Sequence, residues 1–268
     1  MEAPRPVTGE PARMVETAAR DEFVTVMLCP PEQRDSLFTL LAFAHQLRGI
    51  PDHVTEPMMG RIRYQWWRDQ LQAIHDGEGA ARHELSDGLQ SFGKQALRLQ
   101  DTVSGYETVL EQETAPQDTD ELVRQAASCQ MGLLRLLDGA ETVADETLNA
   151  LGAGVELSWR LRHSILQDFA AGRVFLPGDA LASKGLTIEK LRDFRPGPDL
   201  FALVAETAQT ALQSLPARTS LPKGPLRRMR ALAERRLRRV VKSRGEFVAP
   251  AYDRPDPFIG PALWWAGR

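Results

Sequence analysis

The chain has 268 residues, 43% of them hydrophobic, and carries 33 Lys+Arg against 36 Asp+Glu for a net charge of −3. That is ample apolar material for one packed body, and the near-balance of charge excludes a global attraction for polyanions, so any anion binding has to be local. Cys29 and Cys129, the only cysteines, stand in neither a CxxC nor a zinc spacing, which argues against a disulfide framework and for two reduced, buried thiols in a cytosolic setting.

The N-terminus MEAPRPVTGEPARMVE lacks a basic segment followed by a hydrophobic one. No apolar run approaches the roughly 18 to 20 residues that span a bilayer. The expectation is a cytoplasmic protein, with peripheral contact at the inner face of a membrane left open. Apolar residues recur at spacings of three and four and nowhere alternate for long, which predicts an all-α chain. It reads as a single domain over residues 1–268, with 1–11 and 246–268 as less regular termini.

In chain order, a first helix is expected from Ala12 to Met27, stopped by Pro30-Pro31, and a second carries Leu37, Leu40, Leu41, Ala44 and Leu47 as its buried stripe. Near Gly49 and Pro51 that second helix should kink or stop, because proline removes a helical hydrogen bond and clashes with the preceding turn. A third helix runs from about Glu56 to His75, with Trp66 and Trp67 read as core packing and Gly77 and Gly79 as its end. Further helices follow at Glu84 to Leu99, Thr102 to Glu113 and Asp120 to Leu137, then a long one from Ala144 to Ala170. Tyr106 could reach a cavity, but a capped or half-exposed tyrosine is the expectation. The stretch GRVFLPGD reads as an extended loop before helices at Thr187 to Asp193 and Pro198 to Leu215.

The last expected helix, Pro225 to Ser243, combines an apolar stripe (Leu226, Met229, Ala233, Leu237, Val240) with a dense run of arginine. It reads as a docked helix with a solvated cationic face, the alternatives being an anionic membrane surface or an acidic protein partner. Nucleic acid is not expected, for want of aromatic interleaving. The tail PFIGPALWWAGR is read as folding back over the body, with its paired tryptophans at a membrane interface as the alternative.

No GxxxxGK[ST], HExxH or GxSxG motif and no His/Cys cluster with zinc spacing occurs. Two segments do resemble a known family. LLAFAHQLRGIPD, Leu40 to Asp52, is similar to the apolar helix ending in a DDxxD-type motif of the squalene/phytoene synthases. LSWRLRHSILQDFAAGRVFLPGDALASKGL, Leu157 to Leu186, is similar to that family's DxxxD motif and the GR-[VI]-[YF]-LP-x-D signature after it, matching at Gly172, Arg173, Phe175, Leu176, Pro177 and Asp179. The resemblance extends from about residue 20 to 245. TEPMMGRIRYQWWRDQL, Thr55 to Leu71, resembles a branch of the family common in bacteria and related to a mitochondrial respiratory complex I assembly factor.

The resemblance implies an isoprenoid synthase-type helical bundle around a central cavity, in which four helix-borne carboxylate groups hold magnesium ions that bind prenyl diphosphate. This chain departs from that pattern. Arg48 and Gly49 stand where the paired aspartates belong, leaving Asp52, and Ser164 stands at the first aspartate of the second motif, leaving Asp168. Magnesium demands near-octahedral oxygen ligands, and two carboxylates are too few for a multi-ion site. The site residues carried over are Asp52 and Asp168 as metal ligands on an enzymatic reading, and Arg48, Arg160, Ser164 and Arg173 as cavity or diphosphate contacts. A converted site would join Arg48 to Asp168 and Arg160 to Asp52 in ion pairs within about 6 Å; the alternative has both arginines pointing to solvent.

Two functions follow from the resemblance. One is a non-catalytic family member, without cofactor, acting as an assembly or interaction factor for a respiratory complex and retaining isoprenoid or diphosphate binding. The other is a magnesium-dependent prenyltransferase joining two prenyl diphosphates head to head into squalene- or phytoene-like products.

Overall fold

The computed structural model describes residues 9–112, 114–187, 191, 196–249, 252 and 256–268. Among them no strand occurs, as the three- and four-residue apolar spacing requires. The helices are α1 Glu10–Ala18, α2 Arg20–Met27, α3 Pro31–Gly49, α4 Pro57–Asp76, α5 Ser86–Gln90, α6 Leu99–Glu111 and α7 Thr119–Leu134. They continue as α8 Asp145–Trp159, α9 Ile165–Ala170, α10 Gly178–Ser183, α11 Pro198–Ser214, α12 Pro225–Lys242 and α13 Ile259–Ala266.

Proline opens several of these where its missing N–H costs nothing: α3, α4, α11 and α12 each carry it in the first turn. The Asp118 side chain caps α7 by accepting from the Glu121 N–H at 2.8 Å. Gly77, at φ 79°, closes α4, with Glu78 N–H returning to Ala73 O at 2.9 Å. At the end of α3, Pro51 and Gly49 act as expected: the helix stops at Gly49 and Ile50–His53 tighten into one 3₁₀ turn.

Three expected helices differ. The segment 12–27 is two helices, because Ala19 adopts extended backbone (φ −155°, ψ 90°) and bends the chain so that α1 packs on α3 while α2 also meets α12. The segment 84–99 is the short α5 and a 3₁₀ stretch Gly93–Arg98, separated where Gly93 takes φ 52°. The long helix 144–170 is continuous but widens into one π-helical turn, Arg160–Ser164, between α8 and α9. The helix expected at Thr187 to Asp193 falls largely outside the described residues. Within the tail expected to be less regular, α13 forms and docks on α12 and α2.

The core is one continuous cluster contributed by most of the helices. Its centre is the antiparallel stack of α6 on α7 and α7 on α8, flanked by α3, α4, α11 and α12. Glycines set the close approach of α6 to α7. A Cβ on Gly105 would lie 2.5 Å from the Ser128 carbonyl carbon, and one on Gly132 would lie 2.2 Å from the Arg98 carbonyl oxygen. Trp67 is buried edge-on against Phe43 with ring centroids 5.0 Å apart, and Trp66 is partly buried beside it, so the QWWRD segment serves the core as expected. Cys29 and Cys129 are free and buried.

Gly105→Ala and Gly132→Ala should each lower the unfolding free energy by about 1–3 kcal/mol, because backbone on the facing helix cannot yield. Gly49→Ala has nothing within 4 Å of the added methyl and should be neutral or slightly stabilising. Urea unfolding of the three variants checks the contrast.

Candidate functional site

The cavity, of about 480 Å³, lies between the end of α3, the middle of α6 and the α8–α9 segment. At its inner end is a group the motifs did not flag, Glu156 on α8, which is fully buried. Its Oε2 accepts from Arg48 Nη2 at 2.9 Å and Nε at 3.2 Å, from Tyr106 OH at 2.8 Å and from Gln130 Nε2 at 2.7 Å. Its Oε1 accepts from Arg160 Nε at 2.9 Å, one helical turn on. Burial pushes the Glu156 carboxyl up, but the guanidinium groups of Arg48 and Arg160 overcome it and hold it down at about 2. The same carboxylate keeps both arginines charged against their own burial. Arg48 also lies over the Trp159 ring, 4.5 Å from its centroid.

This arrangement corrects two expectations. Arg48 and Arg160 neither pair with Asp168 and Asp52 nor point to solvent; both turn inward, 7% and 10% exposed, and share Glu156. Tyr106 reaches the cavity with its hydroxyl capped by Glu156, and is buried rather than half-exposed; burial raises its phenol far above the usual range.

Asp52 and Asp168 are brought together, and what joins them is Arg173. Its Nη2 lies 2.5 Å from Asp52 Oδ1 and 2.9 Å from Asp168 Oδ1, and its Nε 3.0 Å from the latter. Ser164 donates to Asp168 Oδ2 at 2.7 Å. The local sequence explains the placement. Gly172, at φ 72°, ends α9 in a left-handed turn, with Gly172 N–H on Phe169 O at 2.9 Å and Arg173 N–H on Asp168 O at 2.8 Å. This reversal folds Arg173 back onto the last turn of α9, where Asp168 sits.

The cavity's charges are therefore matched from within: three arginines against Glu156, Asp52 and Asp168. Among the described residues no group of three or more His, Cys, Asp or Glu is placed to hold a metal ion. The two aspartates that remain at the motif positions already face a guanidinium, so the residues present do not fit a magnesium cluster.

Beyond Arg48 the polar chain continues. Arg48 Nη1 lies 3.4 Å from His45 Nδ1, His45 Nε2 lies 2.8 Å from Glu22 Oε2, and Glu22 Oε1 accepts from Arg236 Nη1 at 3.0 Å. Arg236 Nε donates to Asp21 at 2.7 Å, with His163 Nε2 another 3.7 Å away. Burial opposes the charge on Asp21 and Glu22, yet Arg236 with His163 and His45 respectively drives both well below the carboxylate range.

A helical bundle of this order, with its cavity between two motif-bearing helices, defines an isoprenoid synthase-type protein. The solved structures agree: a dehydrosqualene synthase in complex with ligand superposes with a TM-score of 0.75 over 95% of this chain and 93% of that one, at 15% identity. The squalene synthase HpnC from Alicyclobacillus acidocaldarius superposes with a TM-score of 0.67 over 87% of this chain and 92% of its own, at 16% identity. Residues 15–251 match the family model described as Squalene/phytoene synthase, and the chain belongs to that family. Among characterised relatives, a presqualene diphosphate synthase of Rhodopseudomonas palustris is 26% identical over 76% of this chain and 75% of its own length. Another, from Sinorhizobium fredii, is 30% identical over 59% of this chain and 58% of its own.

Glu156→Gln should lower stability by about 3–5 kcal/mol, because it leaves two buried guanidinium groups without their carboxylate. Since the folded carboxyl is depressed from 4.5 to about 2, its contribution is complete above about pH 4.5 and is lost as pH falls toward 2. Urea titrations at several pH values should show this acid-side loss in the wild type and a smaller one in the variant.

Proposed function

We propose that this chain is a non-catalytic squalene/phytoene synthase-like protein, acting as an assembly or interaction factor of a respiratory complex and keeping a cavity for an isoprenoid. One observation carries the reading: Arg173 bridges Asp52 and Asp168, the two carboxylates left at the metal-binding motifs. Ionising an allylic diphosphate requires strong stabilisation of the leaving group, which metal ions supply in this chemistry. Here a fixed cation that donates hydrogen bonds has taken the place of exchangeable dications.

The charge balance of the cavity bears on the ligand too. Arg48 and Arg160 are spent on Glu156, and Arg173 on the aspartates, so a diphosphate entering the cavity must break ion pairs that already exist. A neutral isoprenoid faces no such penalty and finds apolar walls in Val109, Leu110, Val174 and Phe175. The resemblance of Thr55 to Leu71 to the branch that includes the complex I assembly factor supports the choice of partner.

Incubation with magnesium and geranylgeranyl diphosphate should release no inorganic diphosphate, and magnesium should not shift the melting temperature with that substrate present. In the source organism, a Asp52→Asn/Asp168→Asn variant should restore respiratory-complex levels as fully as the wild type does after loss of the gene. Diphosphate release that disappears on Asp168→Asn would instead establish the head-to-head prenyltransferase.

A further inference from the structure

A second and larger hollow, about 960 Å³, lies on the other side of His163 from the cavity, between α12, α13 and the start of α2. Among the described residues its lining carries ten Lys and Arg against three carboxylates, Asp21, Glu234 and Asp256. In a chain whose total charge is −3, this is a strong local concentration of positive charge. Part of it is held internally: Arg236 pairs with Asp21 and Glu22, Arg235 with Asp256, and Arg230 and Arg238 share Glu234. The carboxylates are outnumbered even so, and Arg238, 68% exposed, and Lys242, also exposed, lie at the surface of the groove.

The opposite wall is apolar. Along α13, Ile259, Ala262, Trp265 and Ala266 face the groove at helical spacing, while Leu263 is buried. The aromatic edge is unusually bare: Phe258 is 70% exposed, Trp265 65% and Trp264 44%. The tail thus docks as a helix while leaving Phe258 and Trp265 largely in water beside a cationic trough, with Arg268 lying on the Trp264 ring.

We propose that this groove seats the phosphate head group of an anionic membrane lipid, with Trp265, Trp264 and Phe258 lying at the bilayer interface and the arginines and Lys242 facing the lipid phosphates. A small soluble anion would account for the cations alone. The exposed indoles and phenyl ring, which combine apolar surface with interfacial preference, add a feature that a lipid surface uses and a soluble anion does not. No described helix is long and apolar enough to cross a membrane, and the contact proposed is one made at its surface. This site deepens the reading of the chain as an interaction factor but rests on other residues, so failure of lipid binding would leave the metal and turnover results untouched.

Sedimentation of the full chain with vesicles tests it. The protein should pellet with an equimolar mixture of phosphatidylcholine and phosphatidylglycerol, remain in the supernatant with phosphatidylcholine alone, and be released as salt is raised. At roughly fivefold per surface cation, Arg238→Gln/Lys242→Gln should weaken binding by about twenty-fivefold. Phe258→Ala/Trp265→Ala should weaken it while leaving the salt dependence in place. Circular dichroism of both variants should match the wild type, since the altered side chains are largely exposed. Equal binding to neutral vesicles, no binding to either, or an Arg238→Gln/Lys242→Gln variant that binds like the wild type would overturn the proposal. So would stabilisation by free inorganic diphosphate, lost in that variant, without vesicle binding, which would make the groove a soluble-anion site.

Discussion

A carboxylate with no solvent contact must be compensated, and the compensation of Glu156 organises much of this molecule. Arg48 at the end of α3, Tyr106 in α6, Gln130 in α7 and Arg160 at the start of the π-helical turn all converge on its two oxygens. Three other helices are thereby held to α8 at one point, and Arg160 adds a partner from the next turn of the same helix. A carboxylate and two guanidinium groups out of water are costly singly and tolerable together, and removing any one exposes the others to that cost. The cluster therefore argues for a specific arrangement of helices more than for great stability.

The consequence for chemistry is that positive charge in the cavity comes from side chains fixed in place. Arg48, which by the resemblance stands where the family pattern has an acid, turns its charge inward to Glu156. Arg173 reaches the last two motif aspartates because Gly172 reverses the chain at the end of α9. Cations are thus present near the positions of the motifs, but they are covalently part of the chain and already paired. From Arg48 the polar contacts pass through His45 and Glu22 to Arg236 and Asp21, so the cavity and the basic groove beside α13 are two ends of one buried electrostatic chain.

Much of the architecture was legible in the sequence. Helical spacing points to the all-α class, Gly49 and Pro51 mark the end of α3, and the GR signature brings Arg173 near the second motif, whereas its pairing with Asp168 and Asp52 appears only in the structure. Glu156 was not picked out, although it is a lone acid in the apolar stretch LGAGVELSW and stands four residues before Arg160. Periodicity assigns a residue to a helix face, but Arg48, Gln130 and Tyr106 come from other helices and only the packing brings them together. For the same reason the pairing of Arg48 with Asp168 and Arg160 with Asp52, plausible from turn spacing, was mistaken: facing helices were assumed to match charge by motif, whereas the nearer buried acid took both arginines. The bend at Ala19 had no local signal either, since alanine favours helix and only the packing of α1 on α3 and α2 on α12 imposes the extended residue.

The central proposal is that the guanidinium of Arg173, and not metal, holds Asp52 and Asp168. Titration of the purified chain with Mn²⁺, followed by the electron paramagnetic resonance signal of the free ion, tests it most directly. The account predicts that the signal grows with added manganese as it does in buffer, and that it is unchanged in Asp52→Asn/Asp168→Asn. Loss of free-ion signal in proportion to protein, abolished by that double substitution, would contradict it.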